Sequence, residues 1–341
     1  MGLLSWCFNV VSKSLYFLET SMKSKKHIMD FSDIHINLGN VREKSIVYYE
    51  DDAESIRLPQ SLSKVANSMK SIIEQKRTAL GSDAFRLKHL ERLYRVTIIN
   101  TVDGDMAQCR AQPMQLIHLD KIKLPRMIKT VAMHSRLMSG GLILVVGKVG
   151  SGKTTTCAAI AHARTSEFGG LLLTIEDPAE LPLNGSMGMG HCIQMEVQGK
   201  DEFEDAGRKA LRCFPAGKPG SLFISEIRDP VTASLALRAS LDGNLVIATM
   251  HGDSITGALK RLSSYASKAM SDSEVKEMLS SGFRMCLHQS REDEKLDVTA
   301  LIDTDIVSST LRAGAISQLE SEVQRQNTLL QKNELPIPRK L

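Results

Sequence analysis

The sequence has few aromatic residues, no close pair of cysteines and no large excess of charge of either sign. Aromatic residues make up only 4% of its 341 residues, which leaves little material for the stacking platforms that bind single-stranded nucleic acids. The 43 basic and 39 acidic side chains give a net charge of +4. A nucleic-acid-binding domain more often carries a strong basic stripe, so we expect no direct nucleic-acid binding.

The cysteines are scattered along the chain. They stand at positions 7, 109, 157, 192, 213 and 286, where none forms a CxxC pair and no histidine follows at zinc-finger spacing. Isolated thiols in a long chain are typical of the reducing cytosol, where each packs as a small apolar side chain. The composition therefore predicts a cytoplasmic protein without a structural zinc site.

No apolar run approaches the length of about 20 residues that a membrane-spanning helix needs. The most apolar stretch, residues 3–18, is interrupted by Ser5, Asn9 and Ser12. It also lacks the basic start and small-residue cleavage site of a signal peptide. Three interpretations stay open for this stretch: a helix packed on the protein, an extension upstream of a shorter natural start, and attachment to a membrane surface.

The length predicts two domains, and the texture of the sequence divides it further. In the first part, Ile34, Ile36 and Leu38 alternate as in a strand, residues 62–77 have helical spacing, and residues 94–99 return to a strand pattern. The predicted segments are an extension and linker at 1–30, an α+β domain at 31–113, a linker at 114–127, an α/β domain at 128–332 and a loose tail at 333–341.

The larger domain contains short, nearly continuous apolar segments that alternate with helical ones. The predicted strands are residues 142–146, 171–175, 221–224 and 245–249. Continuous apolar strands of this kind are buried on both faces. The alternation predicts a mostly parallel sheet with helices on both sides.

Residues 147–154 read GKVGSGKT and match the phosphate-binding motif GxxxxGK[ST] between a predicted strand and a helix-compatible run, which is the context that the motif requires. Its glycines allow backbone N–H groups to surround phosphates, Lys153 supplies charge to the β- and γ-phosphates, and the Thr154 hydroxyl can bind Mg²⁺. The sequence thus predicts ATP and Mg²⁺ as cofactors. The predicted nucleotide contacts are Gly147, Lys148, Val149, Gly150, Ser151, Gly152, Lys153, Thr154 and Thr155.

Polar residues follow three of the predicted strands. Glu176 and Asp177 end the first, Glu226 follows the second, and His251 ends the third. Because ligands bind at the carboxyl ends of parallel strands, all three groups are expected to face the phosphate loop. Taken singly, such residues are more often turns or helix starts, so the prediction depends on their order along the chain.

Together these four blocks resemble the Walker A, Asp box, Walker B and His box of the type II/type IV secretion and type IV pilus ATPase superfamily. The similarity continues through residues 211–251, 279–289 and 301–319. The chain resembles the compact branch, which comprises pilus-retraction motors and the ATPases of conjugative and type IVB transfer systems. The resemblance implies a RecA-like P-loop ATPase core and a smaller N-terminal α+β PAS-like domain.

The N-terminal region resembles the family as well. Residues 31–39 resemble the strand that opens the PAS-like domain, and residues 94–113 its closing hairpin. In the family this hairpin carries arginines that reach a neighbouring subunit's nucleotide, and here Arg95 and Arg110 occupy matching positions. A surface salt bridge is the alternative interpretation of each. Pilus motors tend to carry basic residues where this chain has Val102 and Asp103, which favours a conjugation or type IVB-like system.

The resemblance also implies roles. Glu226 orients a water of the Mg²⁺ shell and so belongs to the metal site with Thr154, while Glu176 polarises the attacking water. Which of the two carboxylates is the base stays open. His251 senses the γ-phosphate or couples its loss to movement, and Arg95 and Arg110 offset charge on the transferred group.

The implied assembly is a homohexamer that associates peripherally with inner-membrane components of a secretion, conjugation or pilus machine, on the cytoplasmic side. The expected function is a motor that hydrolyses ATP to power type IV secretion, conjugation or pilus retraction. A nucleotide-binding regulator or scaffold with little hydrolysis is the alternative, and a RecA-like nucleic-acid motor is a third possibility.

Overall fold

A computed structural model describes residues 31–49, 54–113, 115–292 and 295–336. The chain divides into two compact units, Met1–Met114 and Gln115–Leu341. The extension and linker predicted at 1–30 lie outside the described residues, as do residues 337–341 of the predicted tail. Among the described helices, none is both long and apolar enough to cross a membrane. The bounds predicted from the sequence for the individual domains and linkers remain a proposal.

The first unit is an antiparallel sheet covered by one long helix. The strand order is β3-β2-β1-β6-β5-β4. Its apolar side chains alternate along the strands, so that Ile34, Tyr94 and Val96 lie on the buried face under Met69 and Ile73 of the helix. The elements are β1 Phe31–Asn37, α1 Val41–Lys44, β2 Ile46–Tyr49, β3 Ile56–Arg57, α2 Ser63–Leu80, β4 Ala84–His89, β5 Arg92–Thr101 and β6 Gly104–Gln112.

The second unit is an eight-stranded sheet with order β14-β13-β7-β12-β11-β8-β10-β9. The six strands from β13 to β10 are parallel, and the two edge strands are antiparallel. Its strands are β7 Gly141–Gly147, β8 Gly170–Glu176, β9 Gly185–Met187, β10 Gly190–Glu196, β11 Gly220–Ile224, β12 Asn244–His251, β13 Phe283–Glu292 and β14 Lys295–Ile302. Its helices are α3 Arg126–Ala132, α4 Lys153–Phe168, α5 Gly199–Cys213, α6 Pro230–Leu241, α7 Ile255–Ala266, α8 Asp272–Gly282, α9 Asp305–Ala313 and α10 Leu319–Gln331.

The central strand β7 shows why the sheet needs helices on both faces. All seven of its residues are buried. Leu142 and Leu144 pack in the hydrophobic cluster on one face of the sheet, whereas Ile143 and Val145 pack in the cluster on the other. The predicted parallel α/β architecture and its four predicted strands are therefore confirmed.

Strand β13 was not identified from the sequence, although it lies directly beside β7. Helix α8 ends at Gly282 and β13 begins at Phe283, with no loop between them. The helical pattern therefore runs into the strand without a turn signal. This omission matters because β13 carries a residue that contacts the phosphate loop.

The predicted linker at 114–127 packs against the second unit over part of its length. Leu119, Ile122 and Leu124 are buried in the same cluster as the helix that follows the phosphate loop. Helix α3 begins at Arg126, immediately after Pro125. Proline at this position fits a helix start because the first turn has no internal partner for a backbone N–H.

The start of α6 supports a stability prediction. The Asp229 carboxylate accepts a hydrogen bond from the Thr232 backbone N–H at 2.9 Å, and the Thr232 hydroxyl accepts one from the Asp229 N–H at 3.2 Å. Asp229→Ala is expected to lower the free energy of unfolding by about 1 kcal/mol, because it leaves a helix-end donor without its cap. Thermal unfolding measures the change. Asp229→Asn keeps the acceptor and is expected to stay close to the parent, so equal losses in both variants would contradict the capping role.

Candidate active site

The phosphate loop joins β7 to α4, and two of its glycines are required for different reasons. Gly152 has φ +85°, a left-handed conformation that side chains with a Cβ rarely adopt. Gly147 packs so closely that a Cβ there would lie 2.1 Å from the Gln289 carbonyl oxygen. The motif therefore encodes both the shape of the loop and its contact with the adjacent strand β13.

A cavity of about 410 Å³ opens beside this loop at the carboxyl ends of the parallel strands. Three groups that the sequence predicted to meet, Lys153, Glu226 and His251, line it together. Six of the nine predicted nucleotide contacts also line it, namely Val149, Gly150, Gly152, Lys153, Thr154 and Thr155.

The other three predicted contacts lie elsewhere in the loop. Gly147 is buried against β13, as described above. Lys148 and Ser151 line an adjoining cavity of about 470 Å³, together with His288 and Gln289 of β13. The loop therefore borders two adjoining cavities, and Val149 and Gly150 line both of them.

Lys153 is the cation that the phosphate loop contributes to the main cavity. It is only 8% exposed, and its Nζ donates to the Lys148 carbonyl oxygen at 2.7 Å. Burial lowers the pKa of Lys153, while the Glu226 and Glu180 carboxylates act in the opposite direction. The ammonium group lies across the loop, where an anion entering the cavity meets it.

Glu226 and His251 form a pair opposite the loop. The His251 Nε2 and Glu226 Oε1 atoms are 3.1 Å apart, and both side chains are partly exposed to the cavity. They come from the ends of β11 and β12, which are adjacent in the sheet. The parallel register therefore brings together two residues that are 25 positions apart in sequence (251 − 226).

Glu176 is placed differently from the other predicted residues. It is fully buried, and its Oε1 accepts hydrogen bonds from the Thr174 hydroxyl and the Gln194 amide, both at 2.7 Å. The same Gln194 amide donates to the Leu181 carbonyl oxygen at 2.8 Å. Glu176 is absent from the cavity lining. Through Gln194 it supports the segment that follows β8. Its expected role in polarising the attacking water stays a prediction, and this buried position does not favour it.

The segment after Glu176 supplies the carboxylates that do face the cavity. Asp177 and Glu180 both line it, and the Asp177 carboxylate forms an ion pair with Arg228, which also lines it. Glu180 received no role from the sequence, although it is four residues beyond Glu176 and follows Pro178. A polar residue that follows a proline at the end of a strand is by itself only a weak indication of a functional site.

Arg95 and Arg110 belong to the first unit, where they are direct cross-strand neighbours on β5 and β6. They lie on the sheet face opposite the core and line a cavity of about 170 Å³ with Thr97 and Gln108. The Arg110 Nε donates to the Asp33 Oδ1 at 2.8 Å, so the salt bridge considered as an alternative is present for this arginine. The Arg110 side chain is still 58% exposed in this pair, so its guanidinium group remains accessible to other partners.

The parallel sheet, its helices and the smaller N-terminal α+β unit define a RecA-like α/β protein with an N-terminal domain. The chain belongs to the type II/IV secretion system protein family, whose family model matches residues 28–291. The family consists of secretion and pilus NTPases, and the resemblance inferred from the sequence is confirmed.

Individual relatives agree with this assignment. The chain is 29% identical over 288 residues to a twitching motility protein of Neisseria gonorrhoeae, covering 80% of this chain and 74% of that protein. The curated type II secretion proteins that it matches are longer, and the matches span a third or less of their length.

Solved structures establish the fold. A crystal structure of the pilus retraction motor PilT with bound ADP superposes with a TM-score of 0.70 at 24% identity, covering 92% of this chain and 93% of that one. The Legionella pneumophila ATPase DotB superposes with a TM-score of 0.65 at 22% identity, covering 93% of this chain and 87% of that one.

Proposed function

We propose that this protein is a motor that hydrolyses ATP to ADP and phosphate in order to power a type IV secretion or conjugation system, or type IV pilus retraction. The observation that carries the proposal is the meeting of Lys153, Glu226 and His251 around one cavity at the ligand edge of the sheet. Membership of the secretion family and the likeness to a pilus motor with bound ADP support it.

The cavity suits a magnesium nucleotide. Among the described residues, no cluster of three or more His, Cys, Asp or Glu side chains suits a metal ion. Mg²⁺ on a nucleotide needs few protein ligands, because phosphate oxygens and water complete its shell. The Thr154 hydroxyl and the Glu226 carboxylate line the same cavity and are the residues that would hold it. The bound ion would neutralise charge that develops between the β- and γ-phosphates.

The residues of the cavity then take separate roles. Lys153 binds the phosphates, and backbone N–H groups of the loop surround them. We assign the orientation of the attacking water to Glu180, which faces the cavity, and a bracing role to Glu176. His251 detects loss of the γ-phosphate through its contact with Glu226.

The active form is proposed to be a homohexamer in which Arg95 and Arg110 of one subunit contact the nucleotide that is bound to the next subunit. Arginines supplied in this way offset the charge of the transferred phosphoryl group. The partners are inner-membrane components of the machine, with the ring held peripherally on the cytoplasmic side. No direct nucleic-acid binding is expected, so single-stranded DNA should leave the ATPase rate unchanged.

Mixing two inactive variants tests the shared site. Arg95→Ala/Arg110→Ala subunits keep an intact phosphate loop, and Lys153→Ala subunits keep intact arginines. Each preparation alone is expected to lose at least about a hundredfold in turnover, because each lacks a charge that the transition state requires. The mixture is expected to recover activity, which phosphate release measures across mixing ratios and protein concentrations.

Lys88→Ala is the matched control, because Lys88 is an exposed cation of the same sheet whose ion pair is with Glu91. It should turn over ATP like the parent. A mixture as inactive as its components, with ring assembly verified by light scattering, would show that the arginines do not act between subunits.

A regulator or scaffold with little hydrolysis is the second candidate, and one observation favours it. At the tip of the β5–β6 hairpin Val102 is fully exposed, and Asp103 binds Lys44 at 2.6 Å. The two tip positions therefore carry no basic side chain, and the nearby Lys44 ammonium group is paired with Asp103. Turnover at background level in a verified hexamer that binds ADP would favour this second function.

A further inference from the structure

Gln289 of β13 is a buried amide that joins the phosphate loop to the helix after it. Its side chain is 2% exposed. Its Nε2 donates to the Ser151 carbonyl oxygen at 2.5 Å, and its Oε1 accepts from the Thr156 hydroxyl at 2.9 Å. Ser151 is the fifth residue of the motif, and Thr156 lies in the first turn of α4. One side chain thus bonds both to the end of the loop and to the first turn of the helix.

Both bonds need an amide. In the observed arrangement the Ser151 carbonyl needs a donor and the Thr156 hydroxyl donates to an acceptor, and one amide supplies both. Because Gln289 and Thr156 are both buried, water cannot replace either bond, and a lost partner leaves an unsatisfied polar group. A hydrocarbon or a carboxylate of the same length therefore fits the space without meeting this requirement.

The bond to Ser151 has a consequence for the nucleotide. A trans peptide is planar, so its C=O and its following N–H point in opposite directions. The Ser151 carbonyl is turned towards β13 by Gln289, which directs the N–H of Gly152 the other way. Gly152 lines the cavity next to the loop. The orientation of one phosphate-binding N–H is thus coupled to a side chain on another strand.

The packing around Gln289 leaves the loop little room to turn. A Cβ at Gly152 would lie 3.0 Å from the Gln289 Nε2, and one at Gly147 would lie 2.1 Å from the Gln289 carbonyl oxygen. Strand β13 therefore contacts the loop at its first and its sixth position. The rigidity of the loop depends on this strand as well as on its own sequence.

We propose that Gln289 is a positioning residue for the nucleotide: it holds the Ser151 carbonyl away from the cavity, so that the Gly152 N–H faces the phosphates. The inference rests on the proposed function, because it presumes that phosphates occupy the cavity. Gln289 does not itself line that cavity. It acts through the backbone of the loop, and its loss affects nucleotide affinity before it affects the chemical step.

Gln289→Met tests the proposal in the full chain, since methionine has a similar length and forms neither bond. The dissociation constant for ADP and the KM for ATP are expected to rise about tenfold or more, while kcat changes less, because Glu226 and Glu180 are untouched. Gln289→Glu keeps the acceptor for Thr156 and removes only the donor to Ser151. It is expected to show the same loss of ADP affinity, and it provides a second measurement if the methionine variant folds poorly.

Gln326→Met is the matched control. Gln326 of α10 is also fully buried, and its amide accepts from the Ile302 N–H at 2.7 Å and donates to the Ile302 carbonyl at 3.1 Å. It should lower the melting temperature as Gln289→Met does but leave ADP affinity unchanged. If both glutamine-to-methionine variants lose only thermal stability and bind ADP like the parent, Gln289 is structural and the proposal is overturned. A parent protein that binds no ADP would instead overturn the proposed function.

Discussion

Lys153→Ala is expected to abolish ATP turnover, with a loss of at least about a hundredfold in kcat. Lys153 is the single loop cation that lines the cavity, and its ammonium group lies within the loop at 2.7 Å from the Lys148 carbonyl oxygen. Its burial makes the charge effective, because little water is present to screen it. Removing it takes away the cation that the loop itself supplies to the β- and γ-phosphates.

Phosphate release under saturating Mg²⁺-ATP measures this loss, and Lys260→Ala serves as its control. Lys260 is an exposed lysine of α7 in the same unit, so its replacement removes an equal charge away from the cavity. The control should retain the parent rate. Normal turnover by Lys153→Ala would disprove the assignment of residues 147–154 as the phosphate site.

Glu180→Gln is expected to lower kcat by about a hundredfold while ADP binding is retained, because a neutral amide cannot polarise the attacking water. Glu176→Gln is expected to cost less than about tenfold. Its Oε1 can still accept from Thr174 and Gln194 after the change, and it has no place in the cavity lining. Single-turnover hydrolysis and ADP titration of each variant separate the chemical step from binding.

Glu226→Gln completes this comparison, since its carboxylate is proposed to act through Mg²⁺. Its activity should fall with a marked rise in the Mg²⁺ concentration needed for half-maximal rate, a change that neither Glu176→Gln nor Glu180→Gln should show. A severe loss of activity in Glu176→Gln, with normal activity in Glu180→Gln, would show that Glu176 polarises the attacking water, as the sequence indicated.

The phosphate loop was the part of the site most accessible to sequence reasoning. Its glycines, lysine and threonine are consecutive, and the strand before it is a continuous apolar run. Glu226 and His251 were also identified, because strand ends in a parallel sheet meet at one edge. The fold class followed from the alternation of apolar strands and helices, and the structure confirms it.

The carboxylates near β8 could not be sorted in the same way. Glu176, Asp177 and Glu180 lie within five residues, and nothing in their order tells which faces the cavity. In the structure Thr174 and Gln194 of β10 bond to Glu176 inside the sheet, whereas Asp177 and Glu180 line the cavity. A hydrogen bond between residues of different strands has no local sequence signal.

By itself, the sequence determined the family, the α/β core and the identity of the phosphate loop, because each is encoded by contiguous residues or by a short period. Tertiary structure alone decided which side chains support that loop and which acid faces the cavity. Gln289 is 138 residues from the Ser151 carbonyl that it holds, and only the pairing of β13 with β7 brings them together. Contacts of this kind depend on strand register and burial, which a linear pattern does not specify.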